Sequence, residues 1–129
     1  MPVVIDASAL VDLVVQSERA PAVAQAVGST DMVAPDVVNP EVLSILRRLE
    51  RNGRLTAPQA VRAVDDLIDA PVRRFSTRPL LAEAWTLRAN VTATDACYVA
   101  LARILRCPLV TADRKLSRTP RLGVPLITV

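Results

Sequence analysis

Val3-Val4-Ile5-Asp6-Ala7-Ser8-Ala9-Leu10 changes its hydropathy period at the acid. Before Asp6 stands a β-branched run suited to a buried strand. After it, Leu10, Leu13 and Val14 recur at helical spacing on one face. The stretch reads as strand, acid, helix, and this order sets the expectation for the rest of the chain.

Downstream the pattern recurs. Met32-Val33-Ala34 and Leu109-Val110-Thr111 read as short buried strands, Val72 to Phe75 as a brief edge strand, and Pro125-Leu126-Ile127-Thr128-Val129 as the last strand. Between them lie amphipathic segments. One follows Glu18-Arg19, carries Val23 and Val27, and stops at Gly28. In the next, Asn39 reads as a cap and Pro40 as the first helical residue. Val42, Ile45, Leu46 and Leu49 form its buried stripe before an end near Asn52-Gly53. Thr56 opens a helix through Val61, Val64, Leu67 and Ile68 to Pro71, and Leu80 to Leu87 is helical again. Thr94 reads as the cap of a helix from Asp95 to about Arg106, closed by Pro108.

Short apolar strands alternating with amphipathic helices predict an α/β sandwich, a mainly parallel sheet covered on both faces. In such sheets ligands bind beyond the carboxyl ends of strands, where Asp6 and Asp113 fall. With 129 residues and no Gly-, Ser- or Pro-rich linker, residues 1–129 are expected to form one domain.

Composition narrows the chemistry. The chain has no histidine, which removes Ser-His-Asp and Cys-His pairs, histidine-based ribonuclease chemistry and nearly every catalytic zinc site. Catalysis has to run on carboxylates. A net charge of +3, carried almost wholly by Arg, favours phosphate recognition. Cys97 and Cys107 fit neither a CxxC motif nor a disulfide across the helix expected between them, and read as buried thiols. No apolar run approaches a membrane span, and the N-terminus lacks a signal-like stretch, so a cytoplasmic location is expected. The hydrophobic fraction of 51% leaves apolar surface for a homodimer or a tightly bound partner to cover.

Asp6, Glu41, Asp95 and Asp113 are the candidate site. Each alone has a structural use: Glu41 and Asp95 in the first turn of helices, where the dipole favours a carboxylate, and Asp6 and Asp113 as capping or turn residues. Together, two acids at strand ends and two at helix starts can converge on one pocket. Like charges so placed raise one another's pKa until a divalent cation relieves them, and an all-oxygen donor set favours magnesium or manganese.

Four segments carry a family resemblance: Val3-Val4-Ile5-Asp6-Ala7-Ser8-Ala9-Leu10; Ala34-Pro35-Asp36-Val37-Val38-Asn39-Pro40-Glu41 with Val-Leu-Ser-Ile-Leu-Arg-Arg after it; Thr94-Asp95-Ala96-Cys97-Tyr98-Val99-Ala100-Leu101-Ala102; and Pro108-Leu109-Val110-Thr111-Ala112-Asp113-Arg114-Lys115-Leu116. In order, spacing and flanks the chain resembles PIN domains of the VapC branch. The resemblance implies a PIN fold, a three-layer sandwich with a central, mainly parallel sheet of four or five strands. It implies a Mg²⁺- or Mn²⁺-dependent endoribonuclease toxin that inhibits growth and is neutralised by a VapB-type antitoxin. Asp6, Glu41, Asp95 and Asp113 would match the family's acidic quartet, and Ser8 and Thr111 its pocket-lining hydroxyls. Arg114 and Lys115 stand where some relatives carry a further acid.

On that reading the reaction is metal-assisted hydrolysis leaving a 3′-hydroxyl and a 5′-phosphate, with Asp6 and Asp95 anchoring the ion. Routes for the RNA backbone are Arg114, Lys115, Arg118 and Arg121, or Arg47, Arg48, Arg51 and Arg54; a solvated surface is the plain alternative for both groups. With only Phe75, Trp85 and Tyr98 there is no base-stacking platform, and Trp85 and Tyr98 are expected in the core. Other readings stay open: a non-catalytic PIN-fold module that binds RNA or protein, a nuclease acting on DNA, and a phosphoacceptor receiver domain. Against the last, no Lys-Pro follows a late strand.

Overall fold

A computed structural model describes residues Met1–Val129. Five strands form one sheet: β1 (Val3–Ile5), β2 (Met32–Pro35), β3 (Val72–Phe75), β4 (Leu109–Thr111) and β5 (Leu126–Thr128), in the spatial order β3-β2-β1-β4-β5. Every neighbouring pair is parallel, with Val4 opposite both Val33 and Leu109. The β-branched run predicted to be buried is the centre of the sheet, and Val4 and Ile5 are fully enclosed.

Helices α1 (Ala7–Val15), α2 (Ala20–Val27), α3 (Val38–Arg51) and α4 (Ala57–Asp69) supply the crossovers β1 to β2 and β2 to β3, and α1, α3 and α4 pack on one another. The chain then returns across the sheet through α5 (Leu81–Trp85) and α6 (Ala93–Leu105), which pack together, with α6 against β1, β2 and β4. Because parallel crossovers are right-handed, reversing the direction of travel puts this second group on the opposite face. The result is the expected three-layer sandwich. A short α7 (Arg114–Ser117) precedes β5.

This order creates a switch point. From β1 the chain moves first to β2 on one side and later fills β4 on the other, so the carboxyl ends of β1 and β4 part to form a crevice, the usual ligand position in open α/β sheets.

Several local expectations need correction. Asn39 does not cap α3: the helix starts at Val38, and the Asn39 side chain instead accepts a hydrogen bond from Arg74 Nε at 2.9 Å. The cap of α6 is Thr92, whose hydroxyl accepts from Asp95 N at 3.2 Å, rather than Thr94. The Leu80–Leu87 helix is shorter than predicted, a 3₁₀ turn at Arg78–Leu80 running into α5. Trp85 is 67% exposed, with Arg88 stacked over its ring, whereas Tyr98 is buried as expected. Both cysteines are buried and free. No helix is long and apolar enough to cross a membrane.

Candidate active site

Asp6 ends β1 and caps α1 in a single residue. Its extended backbone lets Oδ1 accept from Ala9 N at 3.0 Å, which satisfies one of the orphan donors of the first turn. Ser8 donates to the same oxygen at 2.6 Å, and Thr111, at the end of β4, donates to Oδ2. Both carboxylate oxygens are thereby fixed in a side chain only 5% exposed. The hydroxyls are themselves anchored: Ser8 Oγ accepts from Ala112 N across the switch point at 3.0 Å, and Thr111 Oγ1 from Asp113 N in its own segment at 2.9 Å. Ser8 and Thr111 thus set the orientation of Asp6.

The other three acids arrive from separate elements. Glu41 lies in the first turn of α3, Asp95 in the first turn of α6, and Asp113 two residues beyond β4, where it caps α7 by accepting from Lys115 N at 2.8 Å. All four, with Ser8, line one cleft of about 450 Å³.

Sequence reading did not place Tyr98 in this cleft. Tyr98, expected only as core, donates its hydroxyl to Glu41 Oε1 at 2.5 Å and ties α6 to α3. Its position three residues after Asp95 on the same helical face was the available signal. Arg48 also lines the cleft, and it stands seven residues after Glu41, again on one face of a helix. Arg114, Lys115 and Arg118 are exposed on or just after α7 and do not line the cleft.

Crowding shows in the electrostatics. Burial raises Asp6 above the usual carboxylate range; hydrogen bonds from Ser8, Thr111 and Ala9 N pull it back, and the Asp95 charge pushes it up again. Glu41 is raised by burial and then by Asp95 and Asp6, against the lowering effect of the Tyr98 hydroxyl. Asp95 is raised by burial and by Asp113. Burial and the bond to Glu41 drive the Tyr98 phenol far upward, so it stays a donor at any ordinary pH.

This donor set fits a hard divalent cation. Both oxygens of Asp95, Oε2 of Glu41 and Oδ2 of Asp113 accept no protein hydrogen bond, although Glu41 and Asp95 are half-buried and each is raised by burial and by a neighbouring carboxylate, Glu41 by Asp95 and Asp95 by Asp113. No three acids close into a complete protein cage. That pattern suits magnesium, which keeps several waters and binds through one or two carboxylates together with substrate phosphate.

Residues 3–122 match the PIN domain family model. The chain belongs to the PIN domain family. Among curated proteins it is similar to ribonuclease VapC3 of Mycobacterium tuberculosis, with 43% identity over 90% of this chain and 85% of that one. VapC ribonuclease Mb0985 of Mycobacterium bovis is 37% identical over 98% of both chains. Among solved structures, the VapBC2 complex of Rickettsia felis bound to a promoter DNA fragment superposes with a TM-score of 0.70 at 12% identity, covering 99% of this PIN domain and 98% of that chain. The sarcin-ricin-loop-cleaving toxin VapC20 of M. tuberculosis gives 0.66 at 19% identity, covering 89% and 92%. At such identities these two likenesses speak for the fold.

Proposed function

We infer that this chain is an endoribonuclease toxin of the VapC kind, hydrolysing RNA phosphodiester bonds with Asp6, Glu41, Asp95 and Asp113 as its working groups. One observation carries the reading: acids from four separate segments line a single cleft at the sheet's switch point, in a chain 37–43% identical to proteins named as VapC ribonucleases. Without histidine, no other acid–base set is available in that cleft.

Asp6 and Asp95 would hold magnesium or manganese, with Glu41 and Asp113 completing the shell through water or orienting the attacking water. The ion would supply Lewis-acid activation of water and neutralise charge developing on the phosphate oxygens. The chain's own contribution is preorganisation. Ser8 and Thr111 lock Asp6, and Tyr98 holds Glu41 by one oxygen while leaving Oε2 free. Arg48, the one cation lining the cleft, is suited to a phosphate oxygen of the substrate.

A VapB-type antitoxin is the proposed partner, supported by the VapBC2 likeness and by exposed apolar residues such as Leu81 and Trp85 that protein, antitoxin or a second copy, would cover. Asp6→Asn and Asp95→Asn, each folded by circular dichroism, are expected to lose RNA cleavage by at least a thousandfold. Wild-type rates in either would refute the assignment.

A further inference from the structure

Beside the acidic cleft lies a second groove of about 550 Å³, walled by α1, α3 and the turn into α4. Its floor is apolar, with Val11, Ile45 and Leu55, and its rim is cationic, with Arg19, Arg48 and Arg54. The one acid in it is Asp12, buried and already neutralised: Arg19 Nε lies 3.0 Å from its Oδ2, and Ser17 donates to Oδ1 at 2.7 Å. The only other ion pair of the chain joins Arg103 to Glu83, so Arg48 and Arg54 carry unpaired charge into the groove.

The two depressions adjoin, with Ser8, Ile45 and Arg48 lining both. Along α3 the face that presents Glu41 to the cleft presents Arg48 to the groove, about 10 Å further along the axis at 1.5 Å per residue. Charge therefore changes sign along α3, from Glu41 and the carboxylates beside it to Arg48 and, in the turn beyond the helix, Arg54.

We propose that this groove binds the sugar-phosphate backbone of the RNA on one side of the scissile bond, with Arg48 and Arg54 taking successive flanking phosphates. The proposal rests on the endoribonuclease reading above. A polymer cut in the cleft has to leave it at both ends, and its next phosphates are repelled by the carboxylates unless cations meet them. The apolar floor offers a surface for a ribose or base face, and guanidinium forks suit phosphate oxygens. Arg47 and Arg51 lie on the same helix but outside the groove, and take no part.

The test uses fluorescein-labelled oligouridylates of four and twelve nucleotides bound to full-length protein carrying Asp95→Asn to stop cleavage, with affinity read by anisotropy from 50 to 200 mM NaCl. Single-strand binding loses about 0.7 of log–log salt slope per phosphate contact, so Arg48→Gln with Arg54→Gln is expected to flatten the twelve-mer slope by about 1.4. That is about sevenfold less weakening over the range, with a smaller change for the four-mer. Lysine at both positions restores most of the slope. An unchanged slope, or an equal fall from Arg47→Gln with Arg51→Gln, overturns the groove assignment. Cleavage of a mixed RNA by the wild-type chain, run in parallel, separates the two claims: cleavage with an unchanged slope sinks only the groove, and absence of cleavage sinks the endoribonuclease reading with it.

Discussion

Thr111→Val isolates how the fold prepares its central acid. The two side chains are nearly isosteric, so in the fully buried site at the end of β4 no cavity opens. What disappears is the hydroxyl that donates to Asp6 Oδ2 and accepts from Asp113 N. A hydrogen bond to an ionised group contributes about 1.5–3 kcal/mol, and the second bond is part-exposed and replaceable by water, so the net cost is about 2 kcal/mol. For a chain of this length that lowers Tm by roughly 8 °C. The cost depends on pH with a definite sign. Burial already raises Asp6 above the usual carboxylate range, and losing a donor raises it further. A raised folded pKa means stability that is present below the unfolded value and lost as pH rises through the folded one. The deficit is thus full at pH 7.5 and shrinks toward pH 4, in calorimetry without divalent ions. Thr111→Ser, which keeps the hydroxyl, costs about 1 kcal/mol at every pH through the lost methyl. Mn²⁺ affinity should fall by about 10–100-fold in the Val variant alone. Equal deficits at both pH values, or unchanged Mn²⁺ affinity, would refute the view that Thr111 acts through the Asp6 carboxylate.

Other outcomes follow from the same crowding. Asp95→Asn should melt at or above the wild-type temperature when metal-free, since burial and Asp113 both disfavour its charge, while losing cleavage; scanning fluorimetry beside a gel assay reads both. Tyr98→Phe removes the donor that lowers Glu41, so the acid limb of kcat/KM moves to higher pH, with a stability cost of about 1–2 kcal/mol. With Asp6, Glu41 and Asp95 all raised, metal-free stability declines as pH climbs through their folded values. Mg²⁺ or Mn²⁺ binds the ionised forms, so the thermal gain on adding metal, about 2.7 kcal/mol at a hundredfold excess over Kd, should be larger at pH 8 than at pH 5.5 and vanish in EDTA.

The β1–Asp6–α1 unit was legible because hydropathy changes period at one residue, and the acids at strand ends followed from the parallel sheet that pattern demands. What escaped was set by partners distant in sequence. Asn39 has the composition of a cap, yet Arg74, thirty-five residues on, claims its side chain, and α3 starts at Val38, two residues before Pro40. Thr92 and Thr94 are both plausible caps, and only the backbone chooses the one whose hydroxyl meets Asp95 N. Trp85 shares the outward face of α5 with Leu81 while Ala84 takes the inward one, and a cation over its ring takes the place of a core. The Tyr98 hydroxyl needed the α3–α6 contact to find Glu41, although helical spacing had already put it beside Asp95.

The most direct test of the account is the chemistry of the ends that the purified wild-type protein leaves on a single-stranded RNA in Mg²⁺ or Mn²⁺. Water activated among carboxylates predicts 5′-phosphate and 3′-hydroxyl termini, with cleavage abolished by EDTA. Cyclic 2′,3′-phosphate ends, or cleavage that survives the chelator, would contradict it.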